Sequence, residues 1–257
     1  MCLIAFSVDE NPKYKVILAA NRDEFYNRPT RKAQFWEKER FPNILAGKDL
    51  EAGGTWMGIN KNGKWAALTN YRDPKNIKEN APSRGDLVLE YLKSDLDADS
   101  YIEKIKLHSN SYNGFNILLG KGSDILHFSN ENDMVSKIPP GIHGVSNALL
   151  DTSWPKLNAA KEDLKQATLN KDIDTEDLFR LLKNDAKAPD ENLPSTGIPY
   201  EWEKAISSVF IKTENYGTLC STLLLIDHHG KAEFIERRYD TQTSKIIEEN
   251  AFELVFS

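Results

Sequence analysis

The sequence predicts an α+β fold built mostly from antiparallel sheet. Apolar runs recur in adjacent pairs joined by turn residues, which reads as hairpins. Strand-like segments come first, helical segments follow, and strands return near the end. No internal repeat, low-complexity stretch or linker interrupts the chain, so residues 1–257 read as a single domain.

Cys2 to Val8 is an apolar run that predicts a first strand, and Asp9-Glu10-Asn11-Pro12 supplies a turn. Val16 to Ala20 is its hairpin partner, closing at the polar block Asn21-Arg22-Asp23-Glu24. Thr55 to Ile59 and Lys64 to Asn70 form a second hairpin around Asn62-Gly63, with a bend or close backbone approach at Gly53-Gly54. Ser83 is a candidate N-cap for a helix over Leu87 to Leu92, and Tyr101 to Leu107 predicts another. Phe115 to Leu119 and Ile125 to Ser129 pair across Gly120 to Gly122, and Gly144 to Asn147 is a short strand. Pro155 suits a first helical turn, with Ser153 as cap and Leu157, Ala160 and Leu164 on one face. A further helix follows Thr175, and Pro189 to Pro199 reads as a surface loop. Strands are expected at Val209 to Lys212, Leu223 to Ile226 and Ala232 to Arg237, then helix followed by strand over Ile246 to Phe256.

A net charge of −6 and lysines scattered along the chain argue against a nucleic-acid partner. The two cysteines, Cys2 and Cys220, form no CxxC pair, although their number allows one disulfide. His228-His229 reads as a solvated turn, and neither His127 nor His143 shows triad partners, so no metal site is expected. No secretory signal and no apolar run near the ~20 residues of a membrane helix are seen, so a cytoplasmic location with reduced thiols is expected.

Cys2 follows Met1 directly. Excision of Met1 would leave a thiol, pKa ~8.5, and an α-amine, pKa ~7.7–8.0, on one residue, which pairs a nucleophile with a base. Cys2 equally suits the start of a buried strand. Asn21, Asn70 and Asn147 each close an expected strand, and their amides could meet beside Cys2 as oxyanion donors. Asp23 could hold the amine or Arg22, and an arginine beside Cys2 would favour thiolate. Trp56, Met57, Trp65 and Tyr71 could line an apolar cleft or fill the core.

These residues resemble the NRDE family, whose eukaryotic members are the transport and Golgi organisation 2 proteins. Met1-Cys2-Leu3-Ile4, Asn21-Arg22-Asp23-Glu24, Gly53 to Ile59, Leu68 to Arg72, Ser83-Arg84-Gly85, Gly144 to Asn147, Tyr216-Gly217-Thr218 and Glu236-Arg237 carry the likeness. The resemblance implies the fold of N-terminal nucleophile hydrolases, nearest the penicillin V acylase and bile-salt hydrolase branch: a four-layer αββα sandwich. It implies cleavage of an acyl amide with Cys2 as nucleophile, Asp23 orienting its amine, Asn70 as oxyanion donor and Asn147 as a second asparagine. Asn21, Arg22, Glu24, Trp56, Tyr71 and Arg72 are the expected substrate contacts. Two departures stand out: Ala20 where that branch carries arginine, and Leu219 where many NRDE sequences carry arginine. Arg72 or Lys212 could supply the charge. The resemblance also implies an alternative, a carrier of haem, acyl-CoA or lipid, with no cofactor needed for catalysis.

Overall fold

A computed structural model describes residues 2–256. Two antiparallel sheets lie face to face with helices outside them. The first sheet has the order β10-β1-β2-β11-β12-β13, with β1 at Cys2–Val8, β2 at Tyr14–Phe25, β10 at Gly141–Val145, β11 at Tyr216–Asp227, β12 at Lys231–Tyr239 and β13 at Ile246–Val255. The second runs β3 to β9 in sequence order: Thr30–Trp36, Phe41–Asp49, Met57–Asn60, Lys64–Asn70, Phe115–Lys121, Asp124–Ser129 and Met134–Lys137. Among the described residues five α-helices complete the fold: α1 Gly85–Lys93, α2 Ala98–Lys106, α3 Pro155–Thr168, α4 Thr175–Leu182 and α5 Tyr200–Ala205.

Strand alternation explains the layers. In β1 the even positions Ile4, Phe6 and Val8 pack between the sheets against Leu45, Trp65 and Leu118. The odd positions Leu3 and Ala5 meet Leu157 and Leu164 of α3 and Leu178 of α4. Val88 and Tyr91 of α1 and Ile102 of α2 cover Ile117 and Phe128 on the far side of the second sheet. Each fully buried Leu, Ile or Phe is worth about 1.5–3 kcal/mol, so β1, buried on both faces, is a natural centre. The αββα sandwich matches the expectation, and among the described residues no helix is long and apolar enough to cross a membrane.

Several local expectations are corrected. The Asn21 block does not close β2: β11 pairs with it as far as Phe25, so backbone pairing carries the strand through polar residues. Asn147 lies beyond the end of β10. Val209 to Lys212 is no strand, leaving one isolated bridge from Lys212 to Gly217. The tail is strand throughout, because Glu248, Asn250, Phe252 and Leu254 turn inward with a two-residue period. The N-cap of α1 is Arg84, not Ser83, and makes no side-chain cap bond. Asp97 starts α2 early by accepting from the Ser100 N–H. Ser153 accepts from Asn158 and leaves the N-cap position of α3 to Trp154.

Gly54 makes the close approach its sequence suggested. A Cβ there would sit 2.6 Å from the Gly85 carbonyl carbon. The Thr55 N–H donates to the Gly85 carbonyl at 3.2 Å, which pins the start of α1 to the entry of β5.

Candidate active site

Strand register builds the first wall. Cys2 lies opposite Arg22, and Arg22 lies opposite Cys220 on its other side. Cys2, Arg22 and Glu24 share the face toward the second sheet, with Ile4 and Ala20. Asn70, at the end of β6, brings the second sheet's contribution. Together with Asp23, Trp56 and Arg84 these residues line a cleft of about 340 Å³, near the lower end of the range for small-molecule sites.

Burial dominates the electrostatics. The Cys2 thiol is pushed up by desolvation and by the charge of Asp23, while Arg22 and a hydrogen bond from the Asp23 backbone pull the other way. Arg22 thus pulls the thiol down as expected, but burial outweighs it. Arg22 donates to Thr30 Oγ1 at 2.8 Å and lies 3.5 Å from Asp49 and 4.0 Å from Glu24. Asp23 accepts from Thr218 Oγ1 at 2.6 Å, and its carbonyl accepts from the Tyr216 hydroxyl at 3.0 Å. Burial raises its carboxyl, opposed chiefly by the Lys156 charge.

Lys156 reaches this region from the first turn of α3 and is 4% exposed. Burial lowers its ammonium to about 8, against the attraction of Asp23. Its Nζ lies 3.5 Å from Asn147 Oδ1 and 3.4 Å from the Ile206 carbonyl. Both members of the buried pair are thus drawn toward their neutral forms, and their mutual attraction resists this.

Asn147 stands behind the cleft. Its Nδ2 donates to the Asn70 carbonyl at 2.9 Å, and its own carbonyl accepts from the Arg72 N–H at 2.8 Å. The neighbouring Ser146 donates to the Cys2 carbonyl at 3.1 Å. Among the described residues the side-chain amide of Asn70 makes no hydrogen bond, so its donors are uncommitted.

Other expected contacts lie elsewhere. Asn21 is one residue out of phase with Arg22 and faces the helices, donating to the Leu182 and Val209 carbonyls at 2.8 and 2.9 Å. Arg72 pairs with Glu203 at 2.6 Å and stacks 4.8 Å from Trp154, outside the cleft. Neither it nor Lys212 replaces the absent arginines, and Tyr71 does not line the cleft either. Met57 and Trp65 belong to the core between the sheets. Leu219 occupies a bulge between Thr218 and Cys220. Cys2 and Cys220 are free thiols with a strand between them; neighbouring strands are ~4.8 Å apart, so their spacing exceeds the usual ~4.4–6.8 Å of a disulfide.

The residues that sequence reasoning missed are Lys156, Arg84, Arg28 and Asp49. Arg28 bridges to Asp49 at 2.7 Å and so fixes the carboxylate that faces Arg22. The Ser83-Arg84-Gly85 match was the one signal for Arg84. Lys156 gives none, because a lysine after Pro155 looks like any solvated helix residue. The removal of Met1 lies outside the described residues. Among those residues no three His, Cys, Asp or Glu side chains group as a metal site.

Residues 1–241 match the family described as Transport and Golgi organisation 2. The chain is 39% identical to the Transport and Golgi organization protein 2 homolog of Bos taurus, over 92% of each chain. Its similarity to the homolog of Homo sapiens is the same, 39% over 92% of each. Against the Drosophila melanogaster Transport and Golgi organization protein 2 it is 31% identical, covering 92% of this chain and 91% of the other. Among solved structures, a cysteine-to-alanine mutant of conjugated bile acid hydrolase from Clostridium perfringens superposes with a TM-score of 0.54 at 10% identity, covering 98% of this chain and 92% of that one. An arginine-to-leucine variant of the same hydrolase gives 0.51 at 11% identity, covering 100% and 98%. These likenesses identify the sandwich as the N-terminal nucleophile hydrolase fold.

Proposed function

The chain belongs to the Transport and Golgi organisation 2 family, and from that premise we propose that it is an N-terminal cysteine amidohydrolase cleaving an acyl amide. The observation that carries this reading is the uncommitted amide of Asn70 in the same cleft as Cys2, backed by Asn147. In the proposed reaction the chain begins at Cys2, and its α-amine takes the thiol proton. Sγ attacks the acyl carbon, and the carbonyl electrons move onto oxygen, where Asn70 Nδ2 donates to the oxyanion. Collapse forms the thioester and expels the amine, which receives the proton from the α-ammonium. Water, deprotonated by the Cys2 α-amine, then attacks the thioester carbon; the C–S bond breaks, the acid leaves, and the thiolate takes the proton back from the α-ammonium. Asp23 orients the amine, while Trp56, Leu68 and Pro82 offer an apolar wall to the acyl chain. Two free thiols suit a reducing compartment, and we place the protein in the cytoplasm.

Intact mass of the purified protein, followed by turnover of a panel of N-acyl amides with Cys2→Ala as control, tests this. Retained Met1, or turnover unchanged in the variant, would refute it. The apolar wall of Trp56, Leu68 and Pro82 beside polar groups in one cleft also suits a second reading, a non-catalytic carrier holding haem or an acyl-CoA there. Saturable binding of either, with no amide turnover, selects the carrier.

A further inference from the structure

Among the described residues the cleft lining contains four cationic side chains: Arg22, Arg28, Lys48 and Arg84. Three have carboxylate partners. Arg22 lies 3.5 Å from Asp49, Arg28 lies 2.7 Å from it, and Lys48 lies 3.5 Å from Glu39. Among the described residues the Arg84 side chain makes no ion pair, and its one hydrogen bond runs from Nη1 to the Gly114 carbonyl at 3.0 Å. A guanidinium carries five donors in a planar fork suited to a carboxylate, so four remain. It is partly buried, which costs free energy that a neutral carbonyl only partly returns.

The position is also fixed. Arg84 is the N-cap residue of α1, and the Gly54–Gly85 contact pins that end of the helix to the second sheet. Arg84 lines the same cavity as Cys2 and Glu24. Trp56, Leu68, Ala81 and Pro82 add apolar surface to the same cavity.

We propose that Arg84 is an anion-binding subsite of the Cys2 cleft, and that the acyl compound it takes carries a carboxylate. The apolar wall holds the acyl chain while Arg84 holds the carboxylate through paired N–H bonds. The inference rests on the cleft being the ligand site, as proposed above, and not on turnover.

The test is calorimetric titration of the full chain with N-decanoylalanine and with its neutral isostere, N-decanoylalaninamide. The carboxylate should bind about tenfold or more tightly than the amide, as expected when a charged bidentate contact is made in one and not the other. Arg84→Gln should bring the two affinities together, Arg84→Lys should restore part of the difference, and Lys137→Gln, on β9 outside the cleft, should leave it. The readout is a ratio within one protein, so a partly folded variant that loses both affinities equally does not imitate the result. Equal affinities in the wild type, binding of neither probe, or a preference that survives Arg84→Gln overturns the proposal. The same preference in Cys2→Ala, with no hydrolysis by the wild type, would retain the subsite and reject the amidohydrolase.

Discussion

Asn147 supports Asn70 through its main chain: the Asn147 Nδ2 donates to the Asn70 carbonyl at 2.9 Å while the Asn70 amide remains uncommitted in the cleft. One asparagine is a buried strut and the other a free donor, so their substitutions should separate. Asn70→Ala is expected to lower kcat by about 10²–10³-fold, with stability changed little. Asn147→Ala should cost about 1–3 kcal/mol of stability, because it leaves the Asn70 carbonyl without its donor. Turnover and urea denaturation of both variants check this, and equal losses in both assays would merge the two roles.

Removing Lys156 should leave the buried Asp23 carboxyl without its main opposing charge. Lys156→Met trades that lost attraction against relief of the ammonium's own burial, so its net change in stability is expected to stay within about 1–3 kcal/mol while the Asp23 carboxyl moves further up. Asp23→Asn removes the remaining buried charge and should cost less in Lys156→Met than in the wild type. A double-mutant cycle measured by denaturant unfolding decides, and additive losses would show that the pair does not interact.

The Lys156 ammonium also gives stability a pH signature. Its folded value is lowered from 10.5 to about 8, so the unfolded chain holds this proton more tightly. Its penalty is fully present below pH 8 and is relieved as pH rises from 8 to 10.5, by about 3 kcal/mol in all. Wild-type stability should therefore climb relative to Lys156→Met across that window. Parallel curves from denaturation at pH 8, 9 and 10 would contradict it.

Burial raises the Cys2 thiol, and Arg22 opposes the rise. Alkylation of Cys2 by iodoacetamide at pH 8 should be slower than that of an unperturbed thiol, and should accelerate as pH rises. Arg22→Gln should slow it further at fixed pH. Peptide-resolved mass spectrometry separates Cys2 from Cys220, which burial holds up more strongly. Faster labelling in Arg22→Gln would mean that access, not charge, controls the thiol.

Gly54→Ala places a methyl 2.6 Å from the Gly85 carbonyl carbon, a backbone atom that cannot swing aside. A loss of about 1–3 kcal/mol is expected from the forced shift. Thermal unfolding at wild-type Tm would show that the contact yields without cost.

The hairpins of β1, β5 with β6, and β7 with β8 were legible because apolar runs met turn residues at both ends. β3 and β4 were not, since Thr30-Arg31-Lys32 and Lys48-Asp49 interrupt their pattern and their burial comes from the opposing sheet on one face and from α1 and α2 on the other. Asn21 was misplaced because the apolar run ends there, whereas the strand is prolonged by a partner some 200 residues distant, with Ser221 opposite Asn21. Its alternation with Arg22 was visible in principle, since neighbouring strand residues face opposite ways. Cys2, Asp23, Arg22 and Asn70 were legible as one cluster through their spacing and family likeness. Lys156 and the freedom of Arg84 were not, because each depends on which partners the tertiary fold supplies or withholds.

The proposed nucleophile and the proposed oxyanion donor sit on different sheets, yet consecutive residues tie both: Ser146 to the Cys2 carbonyl and Asn147 to the Asn70 carbonyl. This dipeptide acts as a gauge block across the seam. A shift of one sheet against the other would have to carry Ser146 and Asn147 with it, so the spacing between the proposed nucleophile and the proposed donor is referenced to one short piece of backbone.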